Sequence, residues 1–252
     1  MGHQETYRHN EDYAAFLEGW PVSFFEKYIT TLLRAKGQGR ILDVGCGVGQ
    51  VVESLLHHEV EAMGVDVSFP NIRKAQARGL ACQVYDGKCL PFEEGSFASV
   101  GAFNVLEHVD DPEGFLIELV RVVQPGGWVV VSSPNFFRVI GWADYHPRMR
   151  GIANKWANLR RLLQKRRILK GAREHWSFDR MEPINRPVFS PDDDAIIATN
   201  PMEIAAFLGD AGCHIESVAC TDRPVAGWLD ACLNAGPWKY AMLNGFVVAK
   251  RL

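Results

Sequence analysis

The chain has 252 residues, of which 47% are hydrophobic and 23% are charged, and its formal net charge is −3 at pH 7. This composition is ordinary for a folded globular protein, and the length suits one large α/β domain or one domain with an insertion. A net charge so close to zero argues against a nucleic-acid-binding protein whose whole surface is basic.

Six cysteines are spread along the chain without a C-x-x-C pair and without the spacing of a zinc site. Cysteines of this kind are typical of reduced, buried thiols. The sequence also has no apolar run of transmembrane length and no hydrophobic stretch of a signal peptide. We therefore expect a cytoplasmic protein.

Strands and helices alternate through the first half of the sequence. Residues 1–36 are predicted to form a helical cap, because large apolar residues recur there at steps of three and four. Strands are then predicted at 40–46, 60–67, 81–85, 99–103 and 128–132, and helices at 50–58, 71–77 and 111–123. Alternation at this spacing indicates a parallel sheet with right-handed crossovers.

A basic segment interrupts the alternation. Residues 136–190 contain thirteen Lys or Arg and four Asp or Glu, a net charge of +9, so the rest of the chain carries −12. Such a change in net charge along the sequence marks a boundary between structural segments. The pattern resumes at Asn200, which can cap a helix, and strands are predicted at 214–220 and 245–251. We interpret 136–198 as a basic helical insertion within a single domain, residues 1–252.

The stretch "ILDVGCGVGQ", residues 41–50, ends a buried strand with Gly45, Gly47 and Gly49. A dinucleotide-binding loop would have its third glycine where Gln50 stands. A phosphate-binding P-loop is excluded, because no Gly-Lys-Ser/Thr follows. The glycines indicate a close backbone approach to a ligand, although a tight turn alone would also explain them.

Three aspartates restrict the chemical groups that the ligand can carry. Asp43 is a charge inside an apolar strand, so it needs a cationic or hydrogen-bonding partner. Asp66 ends the second strand, where a carboxylate can accept from both hydroxyls of a ribose. Asp86, before Gly87, can accept from an exocyclic amine, or can simply be the acid of a turn. An adenosine that carries an ammonium group and no phosphate fits all three.

The blocks "ILDVGCGVG", "GVDVS" and "YDGKCLPFEEGSFASVGAFNVLEHVDDPEGFLIELVRVVQPGGWVVVSSPN" resemble class I S-adenosylmethionine-dependent methyltransferases. They are most similar to the broad group that includes the quinone-biosynthesis and small-molecule methyltransferases. The resemblance is dense over residues 38–135 and thin over 196–251. It implies a Rossmann-like α/β fold with seven mostly parallel strands, an antiparallel last strand between the fifth and sixth, helices on both faces and an insertion after strand five.

The resemblance also implies S-adenosyl-L-methionine as the cofactor. The methionine end would meet Asp43 and the glycine loop, the ribose Asp66, and the adenine Val67 with Asp86 and Gly87. Asn104 would lie by the ligand at the end of strand four, or would be a plain strand-end side chain. The predicted cofactor-binding residues are Asp43, Gly45, Cys46, Gly47, Gly49, Asp66, Val67, Asp86, Gly87 and Asn104.

His108 is the candidate catalytic residue. It follows the fourth strand at the edge of the sheet where ligands bind, and a histidine can act as a base near neutral pH. Packing beneath the cofactor is the alternative role. Some quinone O-methyltransferases of this group hold a metal at a Glu-His pair such as Glu107-His108, with an additional acid three positions earlier. Asn104 stands there instead, so we predict no metal site.

The insertion is predicted to select the acceptor. Trp156, Leu159 and Leu163, with Leu169 less regularly, form an apolar stripe, and a second set of residues gives the helix its basic surface: Arg160, Arg161, Lys165, Arg166 and Arg167. Such a helix can pack its stripe on the domain as a lid, recognise an anionic substrate, or make peripheral contact with an anionic membrane. Further candidates from the insertion are Asp144, Tyr145, His146 and His175.

We expect methyl transfer to a small or lipid-linked, anionic acceptor, with O-methylation favoured because His108 offers a base. The sequence does not indicate an oligomeric state, and we expect no nucleic-acid partner. The alternatives are a catalytically silent S-adenosylmethionine-binding or regulatory protein, an RNA methyltransferase, and an NAD oxidoreductase, which Asp43 and Gln50 disfavour.

Overall fold

The computed structural model describes residues 3–141, 144–171, 177–184 and 192–252. A seven-stranded sheet forms its centre, and a separate two-stranded ladder lies within the insertion. The strands are β1 Ile41–Val44, β2 Ala62–Asp66, β3 Cys82–Val84, β4 Phe97–Phe103, β5 Val123–Pro134, β6 Asp179–Arg180, β7 Ile197–Ala198, β8 Cys213–Ala219 and β9 Asn244–Arg251.

The helices of the described residues surround this sheet. They are α1 Glu11–Glu18, α2 Glu26–Leu32, α3 Gln50–His57, α4 Phe69–Ala77, α5 Pro112–Val122, α6 Ile152–Lys170, α7 Pro201–Asp210 and α8 Gly227–Asn234. Short 3-10 helices cover His3–Thr6, Val22–Phe25, Leu33–Ala35, Leu106–His108, Pro147–Met149 and Pro237–Ala241. Within the described part of the chain, no helix combines the length and the apolar character needed to cross a bilayer.

The order of the strands in the large sheet is β3-β2-β1-β4-β5-β9-β8. β1 pairs in parallel with β2 and β4, whereas β9 runs antiparallel to both of its neighbours, β5 and β8. The predicted fold class is therefore confirmed, including the antiparallel last strand between the fifth and sixth strands. The carboxyl ends of β1, β2 and β4 meet at one edge of the sheet, which is where ligands bind in folds of this type.

Apolar side chains cover both faces of the sheet. One buried cluster contains Leu116 and Leu119 of α5 together with Ile204 and Leu208 of α7. The other buried cluster takes its members from three helices on the opposite face, which are Tyr28, Ile29 and Leu32 of α2, Val52 and Leu55 of α3, and Ile72 of α4. The β1 strand, paired on both sides, is buried along its whole length, as its apolar run predicts.

Local signals in the sequence set where the helices begin. The Asp111 side chain accepts from the Gly114 N–H at 2.9 Å, ahead of Pro112 at the first position of α5. Asn200 caps α7 in the same way, through the Met202 N–H at 2.9 Å. The sequence Pro125-Gly126-Gly127 is typical of a turn, but the structure includes it in β5, where the register against β4 shifts between Phe97 and Ser99.

The orientation of α6 corrects the predicted apolar stripe. Its buried side chains are those of Asn158, Leu162, Lys165 and Leu169. Trp156 is 61% exposed and Leu163 48% exposed, so these two members of the stripe face outward. The prediction placed Lys165 on the charged surface, but its ammonium group is buried in the interface with the domain. Tertiary ion pairs, invisible in the helical periodicity, select this face.

Lys165 anchors α6 through two carboxylates. Its Nζ lies 2.8 Å from Asp179 Oδ1 and 2.8 Å from Glu203 Oε1, and it donates to the Ser177 carbonyl at 2.8 Å. Glu203, at the start of α7, is fully buried. Burial raises the pKa of Glu203 to about 7, although the charge of Lys165 opposes this shift.

We predict that Lys165→Met lowers the free energy of unfolding by about 3 kcal/mol at pH 8, because it leaves a buried carboxylate unpaired. The loss should be smaller at pH 6, where Glu203 takes up a proton and becomes neutral. Urea unfolding at both pH values measures this. Lys170→Met, which removes an exposed charge from the same helix, is the control, and an equal effect of the two variants would contradict the prediction.

Candidate active site

The loop between β1 and α3 reaches the edge of the sheet through left-handed backbone conformations. Gly45 has φ +73° and Gly47 has φ +53°, values that side-chain-bearing residues rarely adopt. A Cβ atom at Gly45 would lie 2.3 Å from Cγ2 of Val105, which follows β4. The glycine at position 45 therefore lets the loop pack against the end of β4, and this packing brings the ends of the two strands together.

Asp43 is buried in the middle of the sheet and has a neutral hydrogen-bonding partner. The Tyr28 hydroxyl, from α2, donates to Asp43 Oδ1 at 2.8 Å. A Cβ atom at Gly101 would lie 2.2 Å from the Tyr28 hydroxyl oxygen, so a glycine on β4 makes this contact feasible. Burial raises the pKa of Asp43 to about 7, while the hydrogen bond from Tyr28 lowers it. Near neutral pH this carboxyl group can therefore exchange its proton for a cation.

Asp66, at the end of β2, connects the glycine loop to α4. Its Oδ2 accepts from the Gly47 N–H at 2.9 Å, and its Oδ1 accepts from the Ser68 N–H at 2.8 Å and from Asn71 Nδ2 at 3.3 Å. Burial raises the pKa of Asp66, and these hydrogen bonds oppose the rise. The carboxylate is thus fixed in position with part of its accepting capacity still directed toward the edge of the sheet.

Asn104 follows β4 in a strained conformation, with φ +54°. Its N–H donates to the Ser132 carbonyl at 2.9 Å. The side-chain oxygen Oδ1 is buried and accepts no hydrogen bond from any residue that the structure describes. A buried acceptor without a donor is costly, and strain of this kind is characteristic of residues that contact ligands.

These residues line one cavity of about 380 Å³. Its remaining wall is largely aromatic and comes from the N-terminal segment. The aromatic side chains from this segment are Tyr7, Tyr13, Phe16, Trp20, Phe24 and Phe25. Gln50 Nε2 donates to the Leu17 carbonyl at 2.7 Å and ties this segment to the start of α3. The predicted helical cap therefore covers the cavity.

His108 lies on the same cavity wall, among carboxyl groups. Its Nδ1 is 3.7 Å from Asp194 Oδ1, and its Nε2 is 3.9 Å from Asp192 Oδ1 and 3.8 Å from Glu107 Oε1. Burial lowers the pKa of His108, but the three negative charges outweigh this effect and the net pKa is raised. The Tyr7 hydroxyl lies 3.2 Å from His108 Nδ1 and donates to Asp194 Oδ2.

Comparison with known proteins agrees with this geometry. A family model described as "Methyltransferase domain" matches residues 42–131. A ubiquinone biosynthesis O-methyltransferase of Chromobacterium violaceum is 35% identical over 103 residues, 38% of this chain and 44% of that protein. The enzyme of the same name from Xylella fastidiosa is 25% identical over 243 residues, 85% of this chain and 82% of that protein.

The fold is shared as well. The crystal structure of an S-adenosylmethionine-dependent methyltransferase from Mesorhizobium loti matches with a TM-score of 0.58 at 18% identity, over 93% of this chain and all of that one. Residues 42–131 thus carry a methyltransferase domain, and the chain has the fold of the class I S-adenosylmethionine-dependent methyltransferases. The predicted family and its cofactor, S-adenosyl-L-methionine, are thereby confirmed. The alignments with the first of the curated relatives span about half of their length.

Around this methyltransferase domain, most of the predicted cofactor-binding residues lie on the cavity wall. They are Asp43, Gly45, Cys46, Gly47, Asp66, Val67 and Asn104. Gly49 lies behind the wall, where a Cβ atom would meet Leu80 Cδ1 at 2.6 Å. Contact of these residues with the cofactor stays a prediction, but the structure gathers seven of them around one space.

Asp86 and Gly87 do not line the cavity. The Asp86 carboxylate is exposed and accepts from the Lys88 N–H at 2.8 Å and the Cys89 N–H at 2.9 Å. These hydrogen bonds lower the pKa of Asp86. This geometry is that of a turn acid, the alternative role named above. Tyr85 occupies the cavity wall at the end of β3 instead.

The carboxylates of Asp192 and Asp194 were missed in the sequence. They follow the basic segment by sequence and are more than eighty residues from His108, so no local pattern connects them to it. Of the other insertion candidates, Tyr145 lines the cavity. Asp144 pairs instead with Lys155, at 2.5 Å, and the buried ring of His146 accepts from the Arg148 N–H. His175 lies outside the described residues.

Two of the carboxyl groups near His108 form a candidate metal site together with its imidazole. Glu107, His108 and Asp192 each offer a ligand atom, and these atoms lie within 4.8 Å of one another. Glu107 Oε1 is buried without a hydrogen-bond partner among the described residues, and burial raises the pKa of Glu107 to about 8. The prediction of no metal site depended on having only two ligands, and Asp192 supplies a third. Two carboxylates and one imidazole suit a divalent transition metal.

We predict that the affinity for S-adenosylmethionine rises with pH between about 6 and 8, because its ammonium group pairs with ionised Asp43, whose pKa is about 7 without ligand. Titration calorimetry across this range measures the effect. Asp43→Asn should bind at least about tenfold more weakly and lose most of the pH dependence. Unchanged affinity in this variant, or tighter binding of NAD than of S-adenosylmethionine, would contradict the assignment.

Proposed function

We propose that the protein transfers the methyl group of S-adenosylmethionine to a hydroxyl group of a small or lipid-linked acceptor. The single observation that carries this proposal is that one cavity wall holds both the predicted cofactor residues and His108. The first set alone would account only for binding of the cofactor. A histidine on the wall of the same cavity supports a reaction in which an acceptor loses a proton.

The cofactor end is built for a cationic amino acid. Asp43 offers a carboxylate, and Asn104 offers a buried oxygen that accepts no hydrogen bond from the described part of the chain. Asp66, fixed by Gly47 and Ser68, can accept from ribose hydroxyls. S-adenosylmethionine supplies a methyl group that its sulfonium already activates. The protein's part is to align the acceptor and exclude water, which can lower a barrier by about 7–11 kcal/mol.

The aromatic wall excludes water from the cavity. Trp20 and Phe24 pack edge to face with ring centroids 4.2 Å apart, and Phe24 packs in turn on Phe103 of β4. A wall of this kind leaves few polar groups to hold water in the cavity. It also suits a planar or apolar acceptor, which can pack against the rings while its hydroxyl points toward His108.

His108 is proposed to take the proton of the acceptor hydroxyl. Asp194 and Tyr7 hold its Nδ1 side, so Nε2 faces Asp192 and Glu107. A positioned base of this kind contributes about 10²–10⁴-fold to the rate. The curated relatives named ubiquinone biosynthesis O-methyltransferase support oxygen as the accepting atom.

The proposed negative charge of the acceptor has one partner in the cavity. Arg223 lines the wall, with its guanidinium carbon 3.9 Å from the centroid of the Phe24 ring. Among the wall residues that the structure describes, it is the only lysine or arginine. We therefore propose that a carboxylate or phosphate of the acceptor pairs with Arg223, while the hydroxyl lies at the acidic end near His108.

We expect His108→Gln to lower kcat by about 10²–10⁴-fold without weakening the binding of S-adenosylmethionine, because the base acts only in the chemical step. Transfer of labelled methyl to a panel of phenolic and carboxylated phenolic acceptors measures kcat, and calorimetry measures binding. His58→Gln, an exposed histidine, is the control.

Three results would contradict the proposal. Binding of the cofactor without transfer to any acceptor would indicate a silent binding protein. Transfer to RNA in place of small acceptors would indicate an RNA methyltransferase. Loss of transfer after chelation of metals, with recovery on adding a divalent ion, would make His108 a metal ligand and not the base.

A further inference from the structure

The insertion helix α6 presents a fixed outer face. Its inner side is held by Asn158, whose Nδ2 donates to the Arg138 carbonyl at 3.1 Å and the Arg148 carbonyl at 3.0 Å. The Lys165 ion pairs with Asp179 and Glu203 hold its second half. Because polar contacts at both positions fix the rotation of the helix, the opposite side chains point outward.

Large apolar side chains project from this outer face. Ile152 is 79% exposed, Trp156 is 61% exposed and Leu163 is 48% exposed. Four- and eleven-residue separations place these three within about 40° of one another around the helix axis. An apolar stripe exposed on a helix that is otherwise well anchored marks an interaction surface.

Positive charge borders the stripe. Residues 152–170 contain seven Lys or Arg and no Asp or Glu. The exposed ones are Arg160, Arg166, Arg167 and Lys170. None of these four forms an ion pair with a residue that the structure describes. We define the outer face of α6 as Ile152, Trp156 and Leu163 together with these four basic residues.

We propose that the outer face of α6 docks on an anionic lipid bilayer, with the apolar side chains at the level of the headgroups and the basic ones on lipid phosphates. Tryptophan beside basic residues is favoured at such an interface, and the basic residues add electrostatic attraction. An RNA surface would use the charge but not Ile152 and Leu163. A protein groove would use the apolar stripe but needs no unbroken positive border.

This docking does not depend on the methyl-transfer proposal, because the outer face and the cavity share no residue. The proposal assigns the charge of the insertion to membrane docking and not to recognition of the acceptor. The basic residues of α6 serve an external surface, and recognition of an anionic acceptor inside the cavity is left to Arg223.

Sedimentation with phosphatidylcholine vesicles, with and without phosphatidylglycerol, tests the proposal. We expect the full chain to bind only vesicles that contain phosphatidylglycerol. Arg160→Glu/Arg167→Glu and Trp156→Ser/Leu163→Ser should each weaken this binding by roughly tenfold or more. Matched controls are Lys36→Glu/Lys88→Glu, the same change of charge elsewhere, and Leu56→Ser/Ile117→Ser, the same loss of exposed apolar surface.

Calorimetry with S-adenosylmethionine shows that each variant is folded, and its outcome is independent of any acceptor. Equal vesicle binding by the outer-face and control variants would overturn the proposal, as would equal binding to both kinds of vesicle. Binding of single-stranded RNA that the same variants abolish, without vesicle binding, would assign the face to nucleic acid. A dimer in size-exclusion chromatography that Trp156→Ser/Leu163→Ser abolishes, again without vesicle binding, would assign it to a second copy of the chain.

Discussion

A carboxyl group buried in the central strand is the constraint on which the site depends. Asp43 lies where both faces of the sheet are covered, so it must have a donor, and the structure supplies the Tyr28 hydroxyl. That single hydrogen bond requires α2 to lie across the sheet and requires a glycine at position 101. The helix that satisfies Asp43 also fixes the end of the aromatic segment that covers the cavity. One buried charge thus links the strand, the cap and the ligand space.

The carboxylates near His108 show how much of the site is set by tertiary structure. A basic segment of the sequence ends shortly before Asp192, yet its exposed arginines and these acids have different surroundings in the fold. Asp192 and Asp194 lie beside the imidazole, whereas Arg160, Arg166 and Arg167 of α6 are exposed. The net charge of the segment therefore says little about the charge that a bound acceptor meets. That charge is determined by which few residues reach the wall.

The large sheet could be predicted because its signals are local. Apolar strands, the three glycines after β1, and capping residues such as Asp111 and Asn200 act within a few positions of themselves. The gathering of Asp43, Asp66 and Asn104 around one cavity follows the same rule, since each of them stands in or next to a strand of the sheet. Asp86 lies outside the cavity wall, and its carboxylate accepts from N–H groups of the turn that follows β3.

What could not be predicted depends on contacts between distant residues. The rotation of α6 is decided by Lys165 and Asn158, whose partners lie on other elements, and leucines on two sides of the helix give its periodicity no clear direction. The position of Asp192 and the use of Tyr7 depend on chain paths that no spacing describes. These are also the features that shape the cavity wall around His108.

The two sides of α6 lie in different dielectric surroundings, and this has a consequence for how the helix responds to ions. The Lys165 pair with Glu203 is buried, so dissolved salt screens it weakly, whereas charges in water are screened over about 8 Å at physiological ionic strength. A change in salt concentration therefore alters the distance over which the outer arginines attract anions, while the buried ion pair that anchors the helix stays in place. The ionic strength of the solution therefore sets the electrostatic potential at the outer face of α6 without changing how the helix is attached to the domain.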